Sequence, residues 1–361
     1  MKLALSVYPQ DINDPYLVQY LDNARKLNYQ EVFSSIHLAE YDVAIQIEQL
    51  YELSKLIKKH DMTLCVDIGG AMIKKLISDK TLSDKLKACE ISALRLDYDY
   101  DHQAILILSE MLDLNRFIIN ASLLDSDKIN ALLALSDKIK WEAWHNFYPR
   151  PLTGISYDFY YQQSLLFKER GIAVGAFVCA FNKPRGPLHA GLVTLESHRY
   201  VSIAEAAYEL MASKVCDKLI IADPLASQFE LESLDAINSN EPFVLNIKCA
   251  NDISDAEREL LFNRLHQVRY DNSEYALRLI TSRNMAEQGK MIDPRLSKVR
   301  KVGDVTIDNS GYKRYSGEVQ LIIKDCPLDE RVNIAASIAK ADLWLLKYLT
   351  NERYFYFKEK E

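Results

Sequence analysis

Metal and nucleotide signatures are missing from this sequence. Its seven histidines form no HExxH pair and no spacing that would gather a metal, so neither a metal nor another cofactor is expected. No GxSxG elbow, Walker loop or GxGxxG run follows a strand-like segment, which removes the usual serine-hydrolase, P-loop and dinucleotide readings. No apolar run approaches about 18 residues, and the stretch Leu3 to Tyr8 before Pro9 is too short for a signal core, so no membrane association is expected. The six cysteines (Cys65, Cys89, Cys179, Cys216, Cys249, Cys326) lie far apart with no CxxC pair, favouring reduced thiols and a cytoplasmic chain. Positive charge is in deficit as well: a net charge of −7 and a pI near 5.6 argue against nucleic acid as a partner. A phosphorylated small molecule needs only a few local cations and stays open.

What is present is a rhythm. Eight short runs rich in Val, Ile, Leu, Phe and Ala each precede a helical stretch: Lys2–Val7, Glu31–Ile36, Met62–Ile68, Ile91–Leu96, Arg116–Ser122, Ile139–Phe147, Ile172–Val178 and Lys218–Ala222. Near-continuous apolar character suits strands buried on both faces, and eight such units close a parallel (β/α)8 TIM barrel. Helices are expected from Asp14-Pro15, over Ala39–His60, and from His102, Ser126, Ser156, Ser202 and Ser227. Gly69-Gly70 reads as a turn. At 361 residues and 41.5 kDa a second domain is expected, and the polar stretch Asn238–Pro242 places the boundary. Residues 1–238 form the expected barrel domain and residues 243–361 a small β-rich one. In the latter, Phe243–Cys249, Tyr275–Ile280, Asp304–Ile307 and Val319–Ile323 read as strands and Ala341–Leu349 as a helix. Asp329–Ala339 is ambiguous.

A barrel of this kind places its chemistry at the C-terminal strand ends. Those ends carry Ser6, Tyr8, Ser34, Ser35, Asp67, Asp97, Asn120, Asn146, Tyr148, Arg150 and Asp223. Aspartates from different strands can converge at one mouth and act as acid and base, or can simply cap the following helices. The stiff loop His145–Pro151 offers an amide, a phenol and a guanidinium to a sugar, and equally serves as a rigid connector. Ala180–Tyr200, a long loop after the seventh strand, carries Lys183, Arg185, His189 and Arg199, where such barrels hold phosphate. Glu142 has the parity to face the lumen, where a buried carboxylate needs an ion-pair partner. Lys140 and Lys218 begin strands, the wrong end for a Schiff-base lysine.

At these residues the chain resembles the 6-phospho-N-acetylmuramidase family. The marks are Ser6-Val7-Tyr8-Pro9, Arg95-Leu96-Asp97-Tyr98, His145–Arg150 with Thr153-Gly154, Gly186-Pro187-Leu188, Gly191-Leu192, Thr194-Leu195-Glu196 and His198-Arg199. They continue through Ser273-Glu274-Tyr275, Ser282-Arg283, Gly303–Asn309 and Tyr315–Glu318. The resemblance implies a TIM barrel followed by a cyclophilin-like β-barrel, and hydrolysis of the β-1,4 bond of N-acetylmuramic acid 6-phosphate–N-acetylglucosamine during cell-wall recycling. Two departures stand out: Asp99 where glycine is expected after Asp97-Tyr98, and Gly69-Gly70 in place of a proline-rich turn after Asp67. The first would alter the charge beside Asp97.

The expected mechanism uses Asp97 and Asp67 as the carboxylate pair about an oxocarbenium-like transition state. Substrate contacts are expected from Ser6, Tyr8, Asn146, Tyr148, Arg150, Arg185, Arg199, Arg283 and Glu318, with Arg314 in reserve. The partner is a small phosphorylated disaccharide, and self-association is left open. A phosphosugar isomerase or epimerase, or a sugar-phosphate binding protein, are the alternatives.

Overall fold

The computed structural model describes residues 1–36, 43–239, 241–271, 273–280, 292–296 and 298–360. Two compact units result, Met1–Ser239 and Asn240–Glu361. In the first, eight parallel strands close on themselves: β1 (Lys2–Ser6), β2 (Tyr29–Ser35), β3 (Thr63–Ile68), β4 (Ala93–Leu96), β5 (Arg116–Asn120), β6 (Lys140–Trp144), β7 (Ala173–Val178) and β8 (Lys218–Ile221). β8 pairs back onto β1, with Leu3 opposite Leu219 and Leu5 opposite Ile221. Both faces of these strands are covered, as Ala4 and Leu5 illustrate by being completely buried. That is why the runs read as continuous rather than alternating.

Around the barrel lie α1 (Leu17–Lys26), α2 (Val43–Lys59), α3 (Gly70–Ser78), α4 (Lys80–Ala88), α5 (His102–Leu112), α6 (Ser126–Leu133), α7 (Tyr157–Lys168), α8 (Ile203–Ala212) and α9 (Gln228–Asn238). Ser156, Ser202 and Ser227 are N-caps, each accepting a backbone N–H three residues on, as expected from their type. α1 starts later than Asp14-Pro15 because Asp14 spends its carboxylate on the Tyr16 N–H instead of capping. Residues 39–42 of the helix expected from Ala39 lie outside the described residues. The helical stretch expected after β3 is two helices, and Gly69-Gly70, read as a turn, opens the first: Gly69 is an N-cap and Gly70 the first helical residue of α3.

The lumen is filled in layers. Ala4, Phe33, Cys65, Ala93, Ile118, Trp144, Phe177 and Ile220, one from each strand, form a single apolar plug. Gly175 makes room for Trp144, whose Cδ1 would lie 2.7 Å from an added Cβ. Beneath the plug, at the strand starts, four charges form a closed ring. Glu31 meets Arg116 at 2.5 Å and Lys218 at 2.5 Å, and Glu142 meets the same two cations at 2.8 and 3.0 Å. Burial alone would push the Glu142 carboxyl up, but Lys218 and Arg116 outweigh it and hold it below its ordinary value. Glu142 and Lys218 are therefore structural ion-pair residues.

In the second unit α10 (Asp255–Leu261) accompanies a curled seven-stranded sheet, made of β9 (Phe243–Cys249), β10 (His266–Gln267), β11 (Ala276–Arg278), β12 (Asp304–Asp308), β13 (Val319–Ile322), β14 (Val332–Ile338) and β15 (Tyr354–Glu359). Their order is β10-β15-β9-β14-β12-β13-β11, and among the described residues of this sheet only β9 and β15 run parallel. The ambiguous segment resolves as β14, hydrogen-bonded on both sides by β9 and β12. The helix expected at Ala341–Leu349 is a 3-10 helix, Lys340–Lys347. All six cysteines are free, and no helix among the described residues is long and apolar enough to cross a membrane.

Removing one member of the charge ring tests its role. Lys218→Met leaves two buried carboxylates sharing one cation and is expected to lower the unfolding free energy of the barrel by about 3–5 kcal/mol. Urea unfolding followed by tryptophan fluorescence measures this, and a loss under about 1 kcal/mol would show that the ring does not support the barrel.

Candidate active site

Side chains two residues apart on a strand share a face, so Ala93 in the plug places Arg95 and Asp97 on the lumen side above it. Arg95 is completely buried; three neighbours engage its two Nη atoms, while its Nε has no hydrogen-bond partner among the described residues. Nη1 donates to Asp67 Oδ1 at 2.6 Å and to Asp97 Oδ1 at 3.3 Å, and Nη2 donates to Asn146 Oδ1 at 3.4 Å. Burial pulls the Arg95 guanidinium down, yet the Asp67 and Asp97 charges overcompensate and raise it above its ordinary value. Asn120 Nδ2 donates to the same Asp97 Oδ1 at 2.8 Å. The Asn120 amide is oriented in turn, because its Oδ1 accepts the Ser122 N–H at 3.0 Å.

Behind Asn120 runs a buried polar chain. Ser122 Oγ lies 3.1 Å from His145 Nδ1 and accepts the Asn146 N–H at 3.2 Å, while His145 Nε2 lies 2.9 Å from Ser164 Oγ. Burial, helped by the Arg95 charge, lowers His145 to about 3. A neutral ring can accept from one serine and donate to the other, which suits both contacts.

The two expected carboxylates thus converge on Arg95 rather than across an open space. Asp67 has a side chain only 2% exposed, whereas Asp97 retains 15% exposure. Of the two, Asp97 is the more accessible from the mouth. Arg95 was missing from the expected site residues, and Asn120 stood among the strand-end groups without a role. The available signal was a charged residue inside a buried strand, at the parity of Asp97.

Both departures noted in the sequence meet in space. An added Cβ on Gly70 would lie 2.2 Å from the Asp99 carbonyl oxygen, so the Gly69-Gly70 pair lets the loop after β4 close over α3. Asp99 itself has the left-handed φ of 54° that a glycine would adopt freely. Its exposed carboxylate turns to Lys74 at 3.0 Å rather than toward Asp97.

On the opposite rim Ser6 is wholly buried below Tyr8. The Tyr8 hydroxyl donates to the Ala222 carbonyl at 2.8 Å, and burial pushes the phenol up to about 12. Its ring face is covered by the Arg185 guanidinium, 3.5 Å from the centroid. Neither Ser6 nor Tyr8 therefore offers a hydroxyl at the surface of the mouth. Asp223, also completely buried, accepts the backbone N–H groups of Arg185, Ala180 and Leu192.

Arg199 departs from expectation. Its side chain is buried and donates to both Glu196 oxygens at 2.7 Å and to the carbonyls of Ala190, Gly191, Tyr148 and Arg150. With all its donors engaged it braces two loops and has nothing left for phosphate. Tyr148 is held by that brace and by its N–H to the Val193 carbonyl, while Arg150 is exposed. In the second unit Glu318 is 3% exposed and bidentate with Arg278 at 2.5 and 2.9 Å, a buried ion pair rather than an open carboxylate. Arg314 donates to the Tyr315 hydroxyl at 2.7 Å. Arg283 lies outside the described residues. No group of three or more His, Cys, Asp or Glu suited to a metal occurs among the described residues.

Residues 3–236 match the family described as 6-phospho-N-acetylmuramidase, N-terminal, and residues 243–358 match its C-terminal counterpart. The chain belongs to the 6-phospho-N-acetylmuramidase family. It is similar over its whole length to two solved structures. A conserved Enterococcus faecalis protein of unknown function is 28% identical, with a TM-score of 0.81 over 100% of this chain and 97% of that one. An uncharacterized B. cereus protein is 26% identical, with a TM-score of 0.78 over 99% of both chains. No curated protein matches.

Two expectations follow from the buried groups. Between about pH 5 and 8 the His145 imidazole is expected to remain neutral, so its ring resonances should not titrate in NMR spectra. A midpoint near 6.5 would refute the buried relay. In the second unit burial, reinforced by Glu318 and Asp329, raises Asp308 to about 7. The unfolded chain loses that proton near pH 4, so stability should fall as pH rises from about 4 to 7. Asp308→Asn should flatten that fall in urea titrations, and an unchanged pH dependence would contradict the assignment.

Proposed function

We propose that this 6-phospho-N-acetylmuramidase family member hydrolyses the β-1,4 bond between N-acetylmuramic acid 6-phosphate and N-acetylglucosamine. The reading places the reaction in the cytoplasm, within cell-wall recycling. Support comes chiefly from one observation: Asp97 stands at the C-terminal end of β4 with Oδ1 tied to Arg95 and Asn120 and its side chain partly open. That end of a β/α barrel is where its chemistry sits.

Glycoside cleavage builds positive charge at the anomeric carbon. An acid held by two N–H donors on one oxygen is a carboxylate acceptor, and its second oxygen is available to meet that charge. Arg95 keeps the group from swinging, since it is anchored on the far side by Asp67 at 2.6 Å. Asn146, bonded to the same guanidinium, is positioned to contact the sugar or its acetamido group. Phosphate recognition then falls to the exposed or half-buried cations of the rim, Arg150 and Arg185.

Asp97→Asn tests this directly. The variant should keep its circular dichroism spectrum while release of N-acetylglucosamine from the phosphorylated disaccharide falls by roughly 10²–10⁴-fold. Full retention of the rate would remove Asp97 from the mechanism. Conversion of the substrate without release of a second sugar would instead indicate isomerase or epimerase chemistry.

A further inference from the structure

We propose that Arg185 is the receptor for the substrate's phosphate and that Asp223 is the positioning residue that sets it in place. This rests on the proposed reaction only for the identity of the phosphate-bearing ligand.

Three observations single out Arg185. Its guanidinium carbon lies over the Tyr8 ring, 3.5 Å from the centroid, and Tyr8 is itself completely buried with its hydroxyl on the Ala222 carbonyl. Packing on that ring fixes where the guanidinium sits, and its forked N–H groups are suited to a pair of phosphate oxygens. No carboxylate among the described residues lies within ion-pair distance of that guanidinium, whereas Arg95, Arg116 and Arg199 in the same unit are all paired. Lys183, two residues earlier on the loop, is held by Asp14 at 2.6 Å.

Asp223 explains why the loop presents Arg185 there. One carboxylate oxygen accepts the Arg185 N–H at 2.9 Å, and the other accepts those of Ala180 at 3.2 Å and Leu192 at 3.1 Å. A single buried acid at the end of β8 thus pins the start, middle and end of the segment from 180 to 192. Burial pushes its carboxyl up, and these three N–H donors, then the Arg185 charge, pull it back. With both oxygens accepting from backbone it is unsuited to act as the proton donor of the reaction. Asp11, which also feels the Arg185 charge, accepts the Tyr8 N–H at 2.9 Å, and Glu230 accepts that of Phe181 at 2.6 Å. Arg150, by contrast, is exposed and is tied in place only through its carbonyl.

The test is a double-mutant cycle on the full chain, comparing the phosphorylated disaccharide with its dephosphorylated form. Arg185→Gln should raise KM for the phosphorylated substrate by about tenfold or more and reduce the ratio of the two kcat/KM values by a similar factor. Asp223→Asn should reduce the same ratio through KM, and should reduce it little further when Arg185 is already Gln. A purely structural Asp223 would lower kcat on both substrates and leave the ratio alone, which would overturn its positioning role. An unchanged ratio in Arg185→Gln would overturn the receptor assignment. Should Asp223→Asn fail to fold, Arg185→Lys carries the test. Keeping the charge but losing the stacked fork should lose most of the discrimination, and wild-type discrimination would count against the proposal. Line broadening of inorganic phosphate in 31P NMR, present with the wild type and lost in Arg185→Gln, separates this inference from the reaction. It is expected even if N-acetylglucosamine is never released, and its absence with the wild type would refute the receptor.

Discussion

A single buried guanidinium organises the upper half of the barrel. Arg95 is wholly shielded from water, and an unpaired cation there would cost far more than the fold can supply. Asp67 and Asp97 make it tolerable, one from β3 and one from the end of its own strand, and Asn146 accepts from Nη2. The contacts that stabilise the lumen therefore also hold Asp97, whose Oδ1 accepts from both Arg95 and Asn120.

Charge is distributed unequally between the two ends of the lumen. Below the apolar plug, two acids and two bases close a ring in which each group has two partners. Above it, Arg95 faces two acids, so one negative charge is left over. A self-satisfied ring is a structural device, whereas a surplus carboxylate at the mouth is a group with capacity to meet a developing cation. On the far rim Arg185 provides the opposite sign, stacked on Tyr8 and outside ion-pair distance of any carboxylate among the described residues, with its charge felt through space by Asp223 and Asp11. Separation of the two matters, since a direct contact between Arg185 and Asp97 would cancel both.

Local departures from the family pattern turn out to be coupled. Asp99 takes a left-handed conformation where glycine was expected, and Gly70 lies against its carbonyl where any side chain would collide. The strain accepted in one loop is accommodated by the absence of a Cβ in its neighbour. Charge at the mouth is untouched because Asp99 is drawn to Lys74 on α3.

From the order of residues alone, the eight strands, most of the helices and the polar break between the units could be read, since burial on both faces imposes unbroken apolar runs and capping imposes Ser or Asp at helix starts. The parity of Glu142 likewise pointed to a buried ion pair. That two helices follow β3, the first starting at Gly70, escaped because a glycine pair looks like a turn unless the loop packed against it is known. What only the tertiary structure decided was which partners each polar group finds. Arg199 and Arg185 sit on one loop, yet Arg199 is consumed by Glu196 and four carbonyls while Arg185 is left stacked on Tyr8 with no ion-pair partner among the described residues. Asp67 and Asp97 look equivalent as strand-end acids, yet Arg95 covers one and leaves the other open. Partners drawn from distant strands set these differences, and spacing along the chain does not encode which donor arrives first.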